Sequence, residues 1–448
     1  MMSRFPAQDS CKEESMEKRP DPQMPFSGRR LLWGCLLLLF CLPAPLAAAE
    51  YRIDSQTLFR FFERDTSSGA DQAVIPAYEY LQADVGSLQE KGLSFHFYGW
   101  GRYDFADNDY YEDADAGEIL YGYARYSADV SNLDLRLGRQ YVFEGVASDA
   151  VDGLRVATDL GRYLTLSAYA GQPVSLDAVD GRDGDSIYGG RLGHRLGSRC
   201  ELGLSYKAIT NDSDLDEQRL GLDLSLFFPT GVSLSGFTVY NLETDGFGEH
   251  SYDVRFTVGS FDFRPFYQRF DYEDYFSVGK ESANPFRFLA GTGEILSVYG
   301  ADAVLHRFAD VDLGLKVKLY DYDKRGDASQ YYAGVLTWHG KDLTSLGGEL
   351  GVMSGDASEN KYILARGFFY WDQLQPLPGA FVSGDVVYVA YDRAIYADDD
   401  SSLFLSLGVG SKFLKDALEL KLSGDYSVDP YFDNDLRGLL VASFAFGR

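Results

Sequence analysis

Residues 311–323 read VDLGLKVKLYDYD, and the two faces of this stretch ask for opposite surroundings. Side chains alternate across an extended strand, so Val311, Leu313, Leu315, Val317 and Leu319 fall on one side, and Asp312, Lys316 and Lys318 on the other. One face suits hydrocarbon. The other needs water, because an ion buried without a partner is prohibitively costly. The alternation recurs in LDLRLGRQY (133–141), RCELGLSYK (199–207), RLGLDLSLF (219–227), SYDVRFTV (251–258), FDFRPFYQ (261–268) and LELKLSGDY (418–426). About twenty such segments of roughly eight to twelve residues follow residue 92, and two weaker ones near residues 53 and 77 bring the total to about 22. Each has the length of a tilted strand that crosses a bilayer, about 9 to 11 residues.

The connections sort by parity. Short ones are DVSN (129–132), TDLGR (158–162), RLGS (195–198), FFPTG (227–231) and VGS (258–260). Between them stand longer, acidic ones at 104–117, 171–185, 270–294 and 392–402. Tight turns at one end and long loops at the other are the habit of outer-membrane barrels. The expected fold is therefore all-β, a transmembrane antiparallel up-and-down barrel of about 20 to 22 strands, with short periplasmic turns and long extracellular loops.

Composition agrees. Among 448 residues, Tyr 32, Phe 31 and Gly 47 stand against Met 5 and Cys 4, a vocabulary of strands and turns. The net charge of −27 argues against a nucleic-acid partner, which needs a concentrated basic face. Mean hydropathy is −0.21, with one long apolar run, so a bundle of membrane helices is excluded while a barrel is not.

That run, Leu31 to Leu46, follows Arg29-Arg30 and precedes Pro-Leu-Ala-Ala-Ala-Glu, the pattern of a Sec-type signal peptide cut between Ala49 and Glu50. Met24 offers a second start. The expected organisation is an N-terminal extension plus signal peptide over 1–49 and a single barrel domain over 50–448, in which 50–92 supplies the first two strands. Only Cys200 remains after the leader, so no internal disulfide is expected.

Closure explains why such strands enter a membrane, since an unpaired backbone group costs several kcal/mol in hydrocarbon. Apolar residues then face lipid and the alternate ones face a lumen. In the first half of the chain the candidate lumen residues are Arg102, Arg125, Arg136, Arg139, Arg155 and Arg191, followed by Glu201, Lys207, Arg219 and Asp223. In the second half they are Asp253, Arg255, Arg264, Asp312, Lys316 and Lys318, then Arg366, Asp385, Glu419, Lys421 and Asp425. Basic members outnumber acidic ones while the loops are acidic, which suits an anion-tolerant lumen behind a negative mouth. The alternative is that these ions pair across neighbouring strands and only keep the wall wetted.

Tyr98, Trp100, Tyr103, Tyr320, Tyr322, Trp338 and Trp371, near strand ends, suit interfacial aromatic girdles. The five histidines show neither helical pairing nor H-E-x-x-H, and neither nucleophile-elbow nor Walker loops occur, so no metal, catalytic or cofactor site is expected. Asp180 to Asp185 and Asp398-Asp399-Asp400 are acidic clusters of a kind that can hold calcium, without EF-hand spacing.

With GLSFHFYGWGRYDF (92–105), LRLGRQYV (135–142) and DGLRV (152–156), the chain resembles Gram-negative porin-type barrels. It is most similar to those of metal-reducing deltaproteobacteria. Some of these resemble the porin component of porin-cytochrome conduits, in which a barrel sheathes a multihaem cytochrome and serves extracellular electron transfer. The resemblance implies outer-membrane lipid and lipopolysaccharide as surroundings. The terminal LLVASFAFGR, with Phe444 and Phe446 on one face, resembles the aromatic strand read by the barrel-assembly machinery. Two functions stand: a channel for small hydrophilic solutes or ions, or the sheath of a multihaem cytochrome.

Overall fold

Alternation at period two becomes a ladder in the computed structural model. It describes residues 50–447 apart from 67–68, 90, 107–109, 112, 175–184, 277–292, 309, 358–359, 375–376, 378, 397–398 and 431. The leader expected over 1–49 lies outside the described residues.

The strands begin with β1 (Glu50–Thr66), β2 (Gly69–Val74), β3 (Pro76–Gly86), β4 (Gly92–Asp104), β5 (Asp115–Ala128), β6 (Leu133–Glu144) and β7 (Ala147–Leu160). They continue with β8 (Leu164–Pro173), β9 (Ser186–Leu196), β10 (Cys200–Asn211), β11 (Asp214–Phe227), β12 (Ser233–Asn241), β13 (Gly246–Val258), β14 (Phe261–Asp271) and β15 (Ile295–Phe308). The last are β16 (Val311–Tyr322), β17 (Asp327–His339), β18 (Ser345–Gly355), β19 (Tyr362–Trp371), β20 (Ala380–Tyr391), β21 (Ser401–Phe413), β22 (Leu418–Asp429) and β23 (Phe432–Gly447).

From β3 onward each strand pairs antiparallel with the next. β1 closes the ring by pairing with β23 from Arg52↔Gly447 to Phe61↔Gly438. On its other side β1 pairs with β3 from Glu50↔Gly86 to Phe59↔Ala77 and, in the same register, with β2 from Phe62↔Val74 to Arg64↔Gln72, before a shift at Thr66↔Gly69. β2 and β3 are thus one strand position interrupted at Ile75, and the closed sheet has 22 positions. The interruption has a local cause. Pro76 has no N–H for the ladder, and the N–H of Ile75 donates to Asp104 Oδ1 at 3.1 Å.

The tight links 129–132, 161–163, 197–199, 228–232 and 259–260 lie at one end, and the connections 105–114, 174–185, 272–294 and 392–400 at the other. The sorting is incomplete. The second end also holds the two-residue links 145–146 and 212–213, and the first holds 372–379. No described helix is long and apolar enough to cross a membrane.

Two faces result. Lys316 of β16 reaches Glu349 of β18 at 2.8 Å, and Arg191 of β9 reaches Asp223 of β11 with its Nε at 2.9 Å. Each pair spans an intervening strand, and side chains converge in that way only on the concave side of a curved sheet. The charged face is therefore the inner one. The outer face carries Leu137 at 64 % exposure and Leu350 at 70 %, together with the exposed Leu313, Leu315 and Leu319.

Candidate lumen wall

Register decides which residues share the concave face, because directly paired residues point the same way. Arg136 pairs with Arg125 on one side and Arg155 on the other, so three guanidinium groups stand in a row across β5, β6 and β7. Asp134 lies between them. Its carboxylate accepts from Arg125 Nε (2.5 Å), Arg136 Nε (2.9 Å) and Arg155 Nη1 (3.2 Å). Arg155 also donates its Nε to Glu144 Oε1 at 2.8 Å, and Ser167 Oγ donates to the other oxygen of Glu144.

Beyond this row, Arg191 bonds Asp223 and, at 3.2 Å, Glu201. Lys207 and Arg219 face each other across β10 and β11, and Glu217 lies between them at 2.6 and 2.8 Å. Farther around the wall Asp253 Oδ1 accepts from Arg255 (2.8 Å) and Arg264 (3.2 Å), and Arg366 pairs with Asp385. Asp312 is bracketed by His306 (2.6 Å) and His339 (2.9 Å), and His306 also touches Asp262 at 3.0 Å. Arg102 donates to the Asp113 carbonyl oxygen and stacks 3.7 Å from the Tyr111 ring centre. Lys318, Glu419, Lys421 and Asp425 share the same face by register.

Arg139 is a correction. It pairs with Gly122 and Asp152, opposite in parity to Arg136, and stands on the outer face with Leu135 and Leu137. There it forms a bidentate pair with Asp152, at 2.8 and 2.9 Å, and donates to the Ile119 carbonyl oxygen. Residues three apart cannot share a face of an uninterrupted strand.

The aromatic residues divide as well. Tyr103, Trp338 and Trp371 lie on the outer face near strand ends, as girdle residues would. Tyr98, Trp100, Tyr320 and Tyr322 lie on the concave face instead, with the parity of Arg102 or of Lys316 and Lys318. Of the histidines, His96, His306 and His339 face inward, each against a carboxylate. His194 and His250 face outward. In the acidic clusters, residues 180–184 and Asp398 lie outside the described residues, and Asp185 accepts from the Asp212 N–H at 2.9 Å.

Two elements turn into the bore. The link between β6 and β7 is a two-residue turn with Gly145 at φ +63°. A side chain at Gly145 would collide with Ser205 of β10, whose Oγ accepts from the Val146 N–H at 3.1 Å. The hairpin tip therefore lies across β8 and β9 against the inner wall. Val142, Ala147, Val151, Tyr169 and Ile187 hold it there, each no more than 4 % exposed, and Lys207 bonds Asp149 at 3.2 Å. From the connection after β14, Tyr275 gives its carbonyl oxygen to Arg219 Nη2 at 2.6 Å. The two elements border a cavity of about 270 Å³ beside Arg219, Asp223 and Glu249.

Tyr111, in the connection after β4, reaches back to Tyr78 of β3 and Arg102 of β4. Burial pushes the Tyr111 phenol well above its ordinary pKa, so it stays neutral in its 3.0 Å bond with the Tyr78 hydroxyl.

The candidate lumen set left out Asp134, Glu144, Asp149, Glu217 and Glu349, the carboxylates that complete these pairs. Parity alone identifies Asp134, two residues before Arg136. Nothing local in sequence announces the inward hairpin.

No family model and no curated protein matches the chain. Among solved structures it is similar in fold to the crystal structure of Acinetobacter baumannii OccAB4, at 9% identity over 89% of this chain and 98% of that one, with a TM-score of 0.46. It is likewise similar to Pseudomonas aeruginosa OccK9 (OpdG), at 13% identity over 90% and 99% with a TM-score of 0.45. Pseudomonas aeruginosa OccK2 (OpdF) in complex with glucuronate gives 11% identity over 89% and 98%, with a TM-score of 0.42.

Proposed function

We propose that this protein is an outer-membrane channel that passes small hydrophilic solutes or ions through a water-filled lumen, with no catalytic role of its own. One observation carries the reading: a closed ladder separates an apolar outer face from an inner face crowded with ions. Such a wall has no use for a dry interior, where ions cost more than their pairing returns. In water-wetted surroundings the same pairs are worth little, about 0–1 kcal/mol each, and mainly keep the wall solvated.

Because most of the inner cations face a carboxylate, we infer weak charge selectivity rather than strong anion preference. The apolar outer face suits lipid, the acidic long connections suit an extracellular face near lipopolysaccharide, and residues 1–49 suit export. Phe444 and Phe446, stacked on the outer face of β23, suit recognition by the barrel-assembly machinery.

The alternative, a sheath around a multihaem cytochrome, requires a bore wide enough for a folded guest. The hairpin tip at Gly145 and Val146 occupies part of that bore, which favours the channel.

Planar-bilayer recording of the purified barrel in potassium chloride tests this. Steady ohmic openings with a reversal potential near zero in a salt gradient are expected. A silent barrel that conducts nothing and co-purifies with a cytochrome would overturn the channel in favour of the sheath.

A further inference from the structure

The concave faces of β3, β4 and β5 carry an unbroken chain of aromatic rings. Tyr80 stands directly opposite Trp100, and Tyr98 opposite Tyr121, so cross-strand pairing places them side by side. From the long-connection end the sequence is Tyr111, bonded to Tyr78, then Tyr78 to Tyr80 at 6.4 Å and to Trp100 at 6.1 Å. It continues from Tyr80 to Tyr98 at 6.4 Å, Tyr98 to Tyr121 at 5.5 Å, Tyr121 to Tyr123 at 5.7 Å and Tyr123 to His96 at 4.9 Å.

The chain of rings follows the strands from above the end of β4 at Asp104 down to His96, near its start at Gly92. A residue bulged out at Leu120, where pairing shifts between Tyr98 and Gly99, gives Tyr121 and Tyr123 the inward parity that Glu118 holds above them.

These rings are half-buried rather than buried. The inward hairpin lies against β8 to β11 and leaves them open to the bore. Rings on a water-filled wall would be a poor choice if solubility were their purpose, since the neighbouring strands use charges for that. Hydrogen-bonding groups line the row: Gln82 and Asp84 on β3, Arg102 on β4, and Arg136, whose guanidinium lies 5.6 Å from the Tyr123 ring centre.

We propose that this row is a carbohydrate-binding path, along which the apolar ring faces of a neutral oligosaccharide stack while its hydroxyls bond the flanking polar groups. A flat π-face binds apolar surface without demanding one exact pose, and a chain of such faces lets a bound solute step from ring to ring. The spacing of the rings is comparable with the length of one pyranose unit. The proposal rests on the channel reading for its purpose but not for its chemistry.

The test uses the full-length barrel, with maltohexaose as the probe. In bilayers, maltohexaose is expected to interrupt the ion current in a concentration-dependent way. Tyr98→Ala with Trp100→Ala should weaken that block about tenfold, measured against each variant's own sugar-free current, while Tyr98→Phe with Trp100→Phe should retain it.

Tryptophan fluorescence of the detergent-solubilised barrel reports binding separately. A maltohexaose-induced change present in the native chain and absent in Trp100→Phe supports the path even if the barrel proves silent, a result that would sink the channel alone. A conducting barrel that maltohexaose neither blocks nor perturbs overturns the path alone. Block by benzoate that depends on Tyr98 and Trp100, without block by the sugar, overturns the carbohydrate assignment.

Discussion

Arg139 and Asp152 show what a single strand position decides. Their bidentate pair sits on the outer face, and Arg139 is the seventh of twelve residues in β6. A lone arginine at the midplane of a lipid-facing barrel wall costs about 2–4 kcal/mol. Asp152→Ala should therefore destabilise the barrel by about 2–4 kcal/mol, read as a lower urea midpoint in lipid vesicles. Replacing both residues by leucine should recover most of the loss. If Asp152→Ala unfolds at the native midpoint, Arg139 does not face lipid. The placement was legible, because Arg136 and Arg139 differ by an odd number in an uninterrupted strand. A tally of charged residues obscured the parity that defines the face. The same parity applied to Tyr98, Trp100 and Arg102 separates lumen rings from girdle rings. Tyr103, one position on, has the opposite parity and faces outward.

At the scale of the element, strand existence was the most legible feature and strand direction into the bore the least. The repeat of period two located every strand position, including the first two, because a half-wetted sheet forces alternation residue by residue. The break at Pro76 follows from its missing N–H. The bend of the β6–β7 hairpin has no such local signature. It depends on Gly145 accepting φ +63°, on Ser205 sixty positions later, and on apolar residues gathered from β6 to β10. Ser205→Ala removes the acceptor of the half-buried Val146 N–H, at a cost of about 1 kcal/mol. The tip should then sample positions away from the wall, seen as increased open-channel current noise with β-content unchanged by circular dichroism. Noise equal to that of the native channel would show that the apolar cluster alone fixes the tip.

The whole molecule depends on one seam. Twenty-one of the strand junctions join neighbours in sequence, counting β2 and β3 as one position, and each can form as its own hairpin. The junction of β1 with β23 cannot, because it joins residues near 52 to residues near 447. Until it forms, both edges present unpaired N–H and C=O groups, each worth several kcal/mol in hydrocarbon. Ten paired positions, from Arg52 to Phe61, are at stake. Cutting the chain before Phe432 should leave β1 and β22 as open edges that run in the same direction and cannot close the ring by antiparallel pairing. Charge would not compensate, because the inner pairs such as Arg64 with Asp435 cross this same seam. The expected result is loss of the fast-migrating, heat-modifiable band that a folded barrel gives on a denaturing gel, together with loss of bilayer activity. Should the chain cut before Phe432 still insert and resist unfolding, closure through β23 would not be the source of stability.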